Sequence, residues 1–326
     1  MPLLTPTRAM WRHSPAQRRC GVAAAAAVIV AAAVAGGAQE IPTFRSAARL
    51  VVLQVTGLSR NGDVVTDLDR EAFSVREDGV PQPITLFGRE DVPVSVGILL
   101  DNSGSMRAKR QKVEAAALAF VRASNPQDEV FVLNFADEPH LDVPFTSDIA
   151  RVEAGIARVD AIGGTAMRDA IEAGVDYLVA HATRDRKALL VVTDGQDNAS
   201  VAPMDRIRRK VATSDAVIYA VGLLADEAAP QANRARSELE DCTELSGGRA
   251  WFPDRLDDID AAVVDIAHHL RSLYTIAYSP QNQALNGSYR KVHVEVHGHG
   301  RLSVRTRDGY LASRESGPPS PPLRRQ

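Results

Sequence analysis

The sequence predicts a doubly wound α/β fold, in which a mostly parallel, Rossmann-like sheet is flanked by a small β module. Four near-continuous apolar runs, VSVGILL (94–100), VFVLNF (130–135), ALLVVT (188–193) and AVIYAVGL (216–223), read as strands covered on both faces. Helical stripes alternate with these runs, the order that builds a parallel sheet. The segments on either side, 45–90 and 272–312, carry short strand patterns and turn signals instead.

The chain opens with Arg8, Arg12, Arg18 and Arg19, no acidic residue through position 38, and the apolar run GVAAAAAVIVAAAVA from Gly21 to Ala35. That is the pattern of a secretory signal over 1–38, with the small residues Gly36 and Ala38 before a cut at Gln39. An uncleaved anchor helix is the alternative, and either places the protein outside the cytoplasm, in the periplasm or beyond. After cleavage no segment is expected to insert in a membrane. Cys20 precedes the apolar run, which argues against lipoprotein processing, and its removal leaves Cys242 as the sole thiol, so no intramolecular disulfide is expected.

Next, ARLVVLQVTGL reads as a strand, NGDVV as an Asn-Gly turn leading into a second extended run, and LDREAFSVREDGVPQPITLFG as two short strands around Glu77-Asp78-Gly79. Residues 39–92 therefore form an N-terminal β segment. The α/β domain spans 93–271. Its first helix places Val113, Ala117, Phe120 and Val121 on one side and stops near Asn125-Pro126. Ile149, Val152, Ile156 and Val159 mark the next helix, which AIGGT breaks. Another starts at Ala166, with Ala170, Ile171, Gly174, Val175 and Leu178 inward, and a last one over roughly 256–271 carries Ile259, Val263 and Ile266. LYTIAYSP and YRKVHVEVHG return to strand pattern in a C-terminal β segment, 272–313. Neither β segment alone has enough strands for a core, so the two are expected to pair into one module. The proline-rich 314–326 reads as a disordered tail.

Composition narrows the function. Across 326 residues, 38 basic residues face 41 acidic ones for a net charge of −3, and no basic stripe stands out, which gives no reason to expect nucleic-acid binding. With 45% hydrophobic and 24% charged residues the chain is globular.

Two of the predicted parallel strands end in acid-bearing loops. ILLDNSGSM sets Asp101, Ser103 and Ser105 after one, and VVTDGQD sets Asp194 after another; between them GGTAM places Thr165 on a loop that opens a helix. Carboxyl ends of parallel strands are where α/β sheets build their sites. An Asx turn with a helix cap would also explain DNSGS taken alone. Together, however, two carboxylates and three hydroxyls are hard oxygen donors suited to a six-coordinate Mg2+ or Mn2+, with Ca2+ as an alternative. Because the hydroxyls are neutral, such an ion keeps positive charge for an outside ligand.

This constellation resembles the von Willebrand factor type A domain, whose metal-ion-dependent adhesion site uses an Asp-x-Ser-x-Ser turn, a Thr and an Asp on three loops. The resemblance implies that Ser103, Ser105 and Thr165 touch the metal, and that Asp101 and Asp194 act directly or through water. It also implies a non-enzymatic role: binding a protein partner whose Asp or Glu carboxylate completes the ion's coordination. The flanks, LDREAFSVREDGVPQPITLF before the domain and LYTIAYSPQ with VRTRDGYLA after it, resemble the bacterial VWFA-related, acidobacterial-type group, with Ala72-Phe73 where Asp-Phe is common.

Competing readings are a structural envelope module whose metal only stabilises loops, and a Mg2+-dependent hydrolase. Against the latter stand the lack of a phosphate loop, of a GxSxG elbow around Ser103, and of a His or Lys motif paired with that serine. Asp197 is a candidate for orienting Asp194 from behind, with an ordinary exposed loop acid as the equal alternative. His293, His297 and His299 would share a strand face; zinc or copper binding there is conceivable, but a solvated face is the preferred reading, extended to His268 and His269. Cys242 reads as a packed thiol rather than a nucleophile.

Overall fold

The computed structural model describes residues 50–157 and 162–313, so the signal segment, Val159 and the proline-rich tail lie outside the described residues. The chain begins with β1 (Val51–Leu58), β2 (Val64–Val65), β3 (Phe73–Glu77), β4 (Val80–Gln82) and β5 (Ile84–Gly88). It continues through β6 (Val94–Asp101), α1 (Arg110–Ala123), β7 (Glu129–Phe135), β8 (Pro139–Thr146), α2 (Ile149–Ile156) and α3 (Met167–His181). Then come β9 (Arg186–Thr193), α4 (Met204–Thr213), β10 (Val217–Gly222), α5 (Ala229–Ser246), β11 (Ala250–Trp251) and α6 (Ile259–Arg271). The chain closes with β12 (Tyr274–Tyr278), β13 (Tyr289–Val296), β14 (Ser303–Arg305) and β15 (Gly309–Leu311).

The central sheet runs β11-β10-β9-β6-β7-β8, parallel except for the antiparallel edge pair of β7 and β8. Its four inner strands, β6, β7, β9 and β10, are buried on both faces, their side chains alternating between two cores. Val96, Ile98 and Leu100 of β6, with Ala188, Leu190 and Val192 of β9, pack beneath α1, α2 and α6. Leu99, Leu189 and Val191 face the opposite side, against α3, α4 and α5. Gly97 faces that second side too, where a Cβ would stand 2.2 Å from the Phe131 ring, so the tight contact between β6 and β7 requires glycine there.

The two flanking segments interleave. β1 pairs with β12 and β14, β12 with β5, and β3 with β13, all antiparallel, giving the sheets β14-β1-β12-β5 and β15-β13-β3-β4. These sheets share one apolar core that includes Leu53, Val55, Phe73, Tyr274, Ile276 and Val294. Inside it Glu77, only 2% exposed, accepts hydrogen bonds from Tyr278 Oη and Tyr310 Oη, both at 2.8 Å, and from Arg290 Nη1 at 2.9 Å. Arg290 also donates to the carbonyls of Asn282 and Ala284. One carboxylate thus ties together strands from both ends of the chain.

Some elements depart from the sequence reading. β8 was not anticipated, because Pro139 and Pro144 interrupt its pattern and its outer face is open, as an edge strand allows. The last helix begins at Ile259, after a 3-10 turn over Leu256–Asp258. His269 is not solvated: it is buried edge-on against Trp251, and burial, reinforced by the Arg249 charge, pushes its pKa down to about 4. His293, His297 and His299 are exposed; their ring nitrogens meet Glu295, Ser74 and the His297 carbonyl respectively.

Replacing Glu77 by Ala leaves the Arg290 guanidinium buried without its carboxylate. The variant is expected to lose about 3–5 kcal/mol in urea unfolding, the range seen when one member of a buried ion pair is removed.

Candidate functional site

The loops after β6, before α3 and after β9 meet at the carboxyl end of the sheet because β6 and β9 are hydrogen-bonded neighbours, with Leu100 opposite Val192. Asp101 closes β6, and Ser103, Ser105, Thr165 and Asp194 sit on these loops. Asp101, Ser103, Thr165 and Asp194 are at most 3% exposed, a burial that carboxylates and hydroxyls tolerate only with partners.

The partners of Asp101, Ser103 and Asp194 form a connected network, whereas Thr165 is held through its backbone. Asp101 accepts from the Ser103 amide at 2.8 Å through Oδ1, an Asx turn, and from Thr193 Oγ1 at 2.6 Å through Oδ2. Ser103 Oγ lies 3.0 Å from Ser105 Oγ, which donates to Asp194 Oδ1 at 2.8 Å. The other Asp194 oxygen accepts from Lys109 Nζ at 2.9 Å. Asp194 is thus the joint between the first and third loops.

The second loop is clamped from both sides. Gly104 N donates to the Gly163 carbonyl, and Ile162 N to that of Asn102. Gly163 has φ +91°, and a Cβ there would stand 2.6 Å from Asp137, so glycine is needed on both counts. Gly164 N donates to Asp137 Oδ1 at 2.7 Å. Thr165 N donates to Asn198 Oδ1 at 2.8 Å, and its carbonyl accepts from Asn198 N and Ala199 N. Asn198 thereby fixes Thr165 against the loop that carries Asp194.

Asp197 plays a different part from the one expected. Its oxygens accept from the Arg168 amide (2.8 Å) and guanidinium (2.9 Å) and from Ser200 Oγ (2.6 Å) and N (3.1 Å). It fastens the third loop to the start of α3, just beyond Thr165, and reaches Asp194 only through the backbone. Burial opposes its charge, but these donors hold its pKa below the usual range.

Asp101 shows the reverse balance. Burial, with a smaller contribution from Asp194's charge, outweighs the hydrogen bonds from Thr193 and Ser103, and its pKa is pushed up to about 6. Lys109 stands in for a counter-charge at Asp194: burial works against its ammonium, yet Asp194 and then Asp226 keep its pKa above the usual lysine value. Cys242 is inert, its thiol raised to about 12 by burial.

The donor set fits a small hard cation. Bonds of 2.0–2.1 Å in an octahedron put neighbouring donors about 2.8–3.0 Å apart. The Ser103–Ser105 and Ser105–Asp194 separations of 3.0 and 2.8 Å already match. Among the described residues no group of three or more His, Cys, Asp or Glu side chains could hold a metal. This cluster is of another kind, since only two of its five donors are carboxylates. Lys109 and Asn198 were missed from sequence, because a lysine at a helix start and an asparagine in a loop carry no signal of the long-range contacts they make.

Residues 96–196 match the family described as von Willebrand factor type A domain. Among solved structures, the chain is similar to a von Willebrand factor type A protein from Catenulispora acidiphila, at 13% identity and TM-score 0.49 over 83% of this chain and 76% of that one. It is similar to a mutant of the PilB minor pilin from Streptococcus sanguinis, at 10% identity and TM-score 0.47 over 57% and 62%. It is also similar to the vWF domain of the type V pili tip protein Mfa5 from Porphyromonas gingivalis, at 13% identity and TM-score 0.45 over 55% and 95%. The chain spans 62% of that pilin's length and 50% of a mussel byssus thread matrix protein. No curated protein matches it at a significant level.

Below about pH 6 native Asp101 keeps a proton that the unfolded chain releases near pH 4, so between those values metal-free stability falls as pH rises. Asp101→Asn mimics the protonated form. In EDTA it is expected to be about 2–3 kcal/mol more stable than wild type at pH 7.5 and level with it below pH 4, read by urea unfolding.

Proposed function

We propose, from the premise that residues 96–196 form a von Willebrand factor type A domain, that the protein binds a partner protein through a divalent cation held by Asp101, Ser103, Ser105, Thr165 and Asp194. Domains of this family serve as interaction modules, and the reading is one of binding, not catalysis. The observation that carries it is the gathering of five oxygen-bearing residues on three adjoining loops at the carboxyl end of β6 and β9, with Ser103, Ser105 and Asp194 linked by contacts of 3.0 and 2.8 Å.

Two further features support it. A carboxylate kept in a site that raises its pKa to about 6 costs stability at neutral pH, and a bound divalent cation would offset that cost. Two carboxylates and three neutral hydroxyls are hard oxygen donors that suit Mg2+ or Mn2+, with Ca2+ as an alternative. The ion would supply Lewis acidity toward an outside carboxylate. This chain's own residues would hold it and shape the rim. Val201, on the loop after Asp194, is 91% exposed, and Ile162, on the Thr165 loop, is 62% exposed. Both give an approaching carboxylate-bearing segment apolar surface to cover.

The reading extends to an exported protein, in periplasmic or extracellular surroundings, on the strength of the N-terminal arginines and apolar run. Among the described residues no helix is long and apolar enough to cross a membrane.

The test is capture from a cell-envelope extract. Wild type with Mg2+ is expected to retain a partner, and EDTA, Asp101→Ala and Ser103→Ala are each expected to abolish retention while circular dichroism stays unchanged. Retention that survives all three contradicts the proposal. Metal-dependent melting without any metal-dependent capture would assign the ion a loop-stabilising role instead.

A further inference from the structure

Asp101 and Asp194 are both buried carboxylates of one cluster, yet they are neutralised differently. Asp101 meets neutral donors, the Ser103 amide and the Thr193 hydroxyl. Asp194, with no exposed surface, meets an ammonium: Lys109 Nζ at 2.9 Å from Oδ2, on a side chain only 12% exposed. Lys109 is also placed to hold on elsewhere. Its Nζ lies 3.4 Å from the Leu223 carbonyl and 3.4 Å from Oδ2 of Asp226, whose side chain is 78% exposed. The Leu223 anchor is fixed in turn, since its amide donates to the Thr193 carbonyl beside Asp194.

We propose that Lys109 is a built-in counter-ion of the metal site, which weakens its hold on the divalent cation and keeps the loaded site positive enough to attract a partner's carboxylate. The inference rests on the metal-binding reading above. Charge arithmetic carries it. Two carboxylates and a divalent ion sum to zero, and the remaining donors, Ser103, Ser105 and Thr165, are neutral. Such a site has no net pull on an anion. Asp226 also lies 3.4 Å from Lys109 Nζ, but its side chain is 78% exposed and its charge is screened by water, so with the Lys109 ammonium added the buried part of the loaded site carries one positive charge, which a single carboxylate neutralises. The same charge repels the incoming cation. When the ion draws on Asp194, Lys109 gives up one acceptor and keeps Asp226 and the Leu223 carbonyl, so its ammonium is not left stranded.

Lys109→Met removes the charge at nearly constant volume, Lys109→Gln removes it while keeping a donor for Asp194, and Lys109→Arg retains it. Full-length protein is titrated with Mn2+, and free ion is read by electron paramagnetic resonance. Acetate is then added to the loaded protein. The expected result is Mn2+ binding at least tenfold tighter in the Met or Gln variant, a larger Mn2+-induced rise in melting temperature, and acetate binding weakened at least threefold. The Arg variant is expected to stay within about threefold of wild type in both. Should Lys109→Met fail to fold, the Gln variant reads the same quantities. Mn2+ affinity unchanged or weaker in the neutral variants, with wild type binding normally, overturns the role of Lys109 alone. Wild type that binds no Mn2+ at millimolar concentration overturns the metal reading and this inference with it.

Discussion

The structure turns on the burial of two carboxylates, Asp101 and Asp194, at the ends of neighbouring parallel strands. Water is excluded from both, so every nearby group must answer for their charge. Thr193 and the Ser103 amide attend to one, and Ser105 and Lys109 to the other. The fold provides the setting: β6 and β9 lie side by side at the centre of the sheet, covered by helices on both faces, and their ends open onto loops that can turn back over the strand tips. The rest of the upper surface follows from holding these loops in register. Asn198 binds the Thr165 backbone, Asp197 binds the start of α3, and Asp137 binds the glycine turn between them.

The β module obeys the same rule on a structural errand. Glu77 and Arg290 are buried together and supported by two tyrosine hydroxyls and two carbonyls. Removing either member would strand the other's charge out of water, so the pair holds strands from the two ends of the chain to one another. Arg305 donates to the Gly248 carbonyl, and Arg186 to the Leu273 carbonyl and Thr275 Oγ1, so the module is also tied to the α/β domain.

Much of this was legible in the sequence, and the reasons are physical. β6, β7, β9 and β10 are apolar on both faces, so their runs stand out without any periodicity. Asp101, Ser103, Ser105 and Asp194 stood out because their residue types are unusual immediately after such runs, and Thr165 because it opens a helix after two glycines. The pairing of the two β segments followed from the impossibility of either forming a core alone. What escaped was whatever depends on contacts distant in sequence or on open faces. β8 is an edge strand broken by prolines. α5 buries only Ala235, Leu239, Cys242, Thr243 and Ser246 of its 18 residues, so its apolar stripe is thin. Lys109 and Asp194 are 85 positions apart, and His269 looks like a surface histidine until Trp251 covers it. Asp197 was rightly noticed as part of the site's neighbourhood, but its partners on α3 are set by loop conformation, which residue spacing does not encode.

The central claim is that the oxygen cluster at the ends of β6 and β9 is a divalent-cation site. Anomalous diffraction from crystals of the protein grown with Mn2+ tests it most directly. The account predicts a single strong manganese peak bonded to Ser103 and Ser105, with Thr165, Asp101 and Asp194 around it directly or through water. A map with no manganese at these loops, or with manganese bound only elsewhere on the molecule, would contradict it.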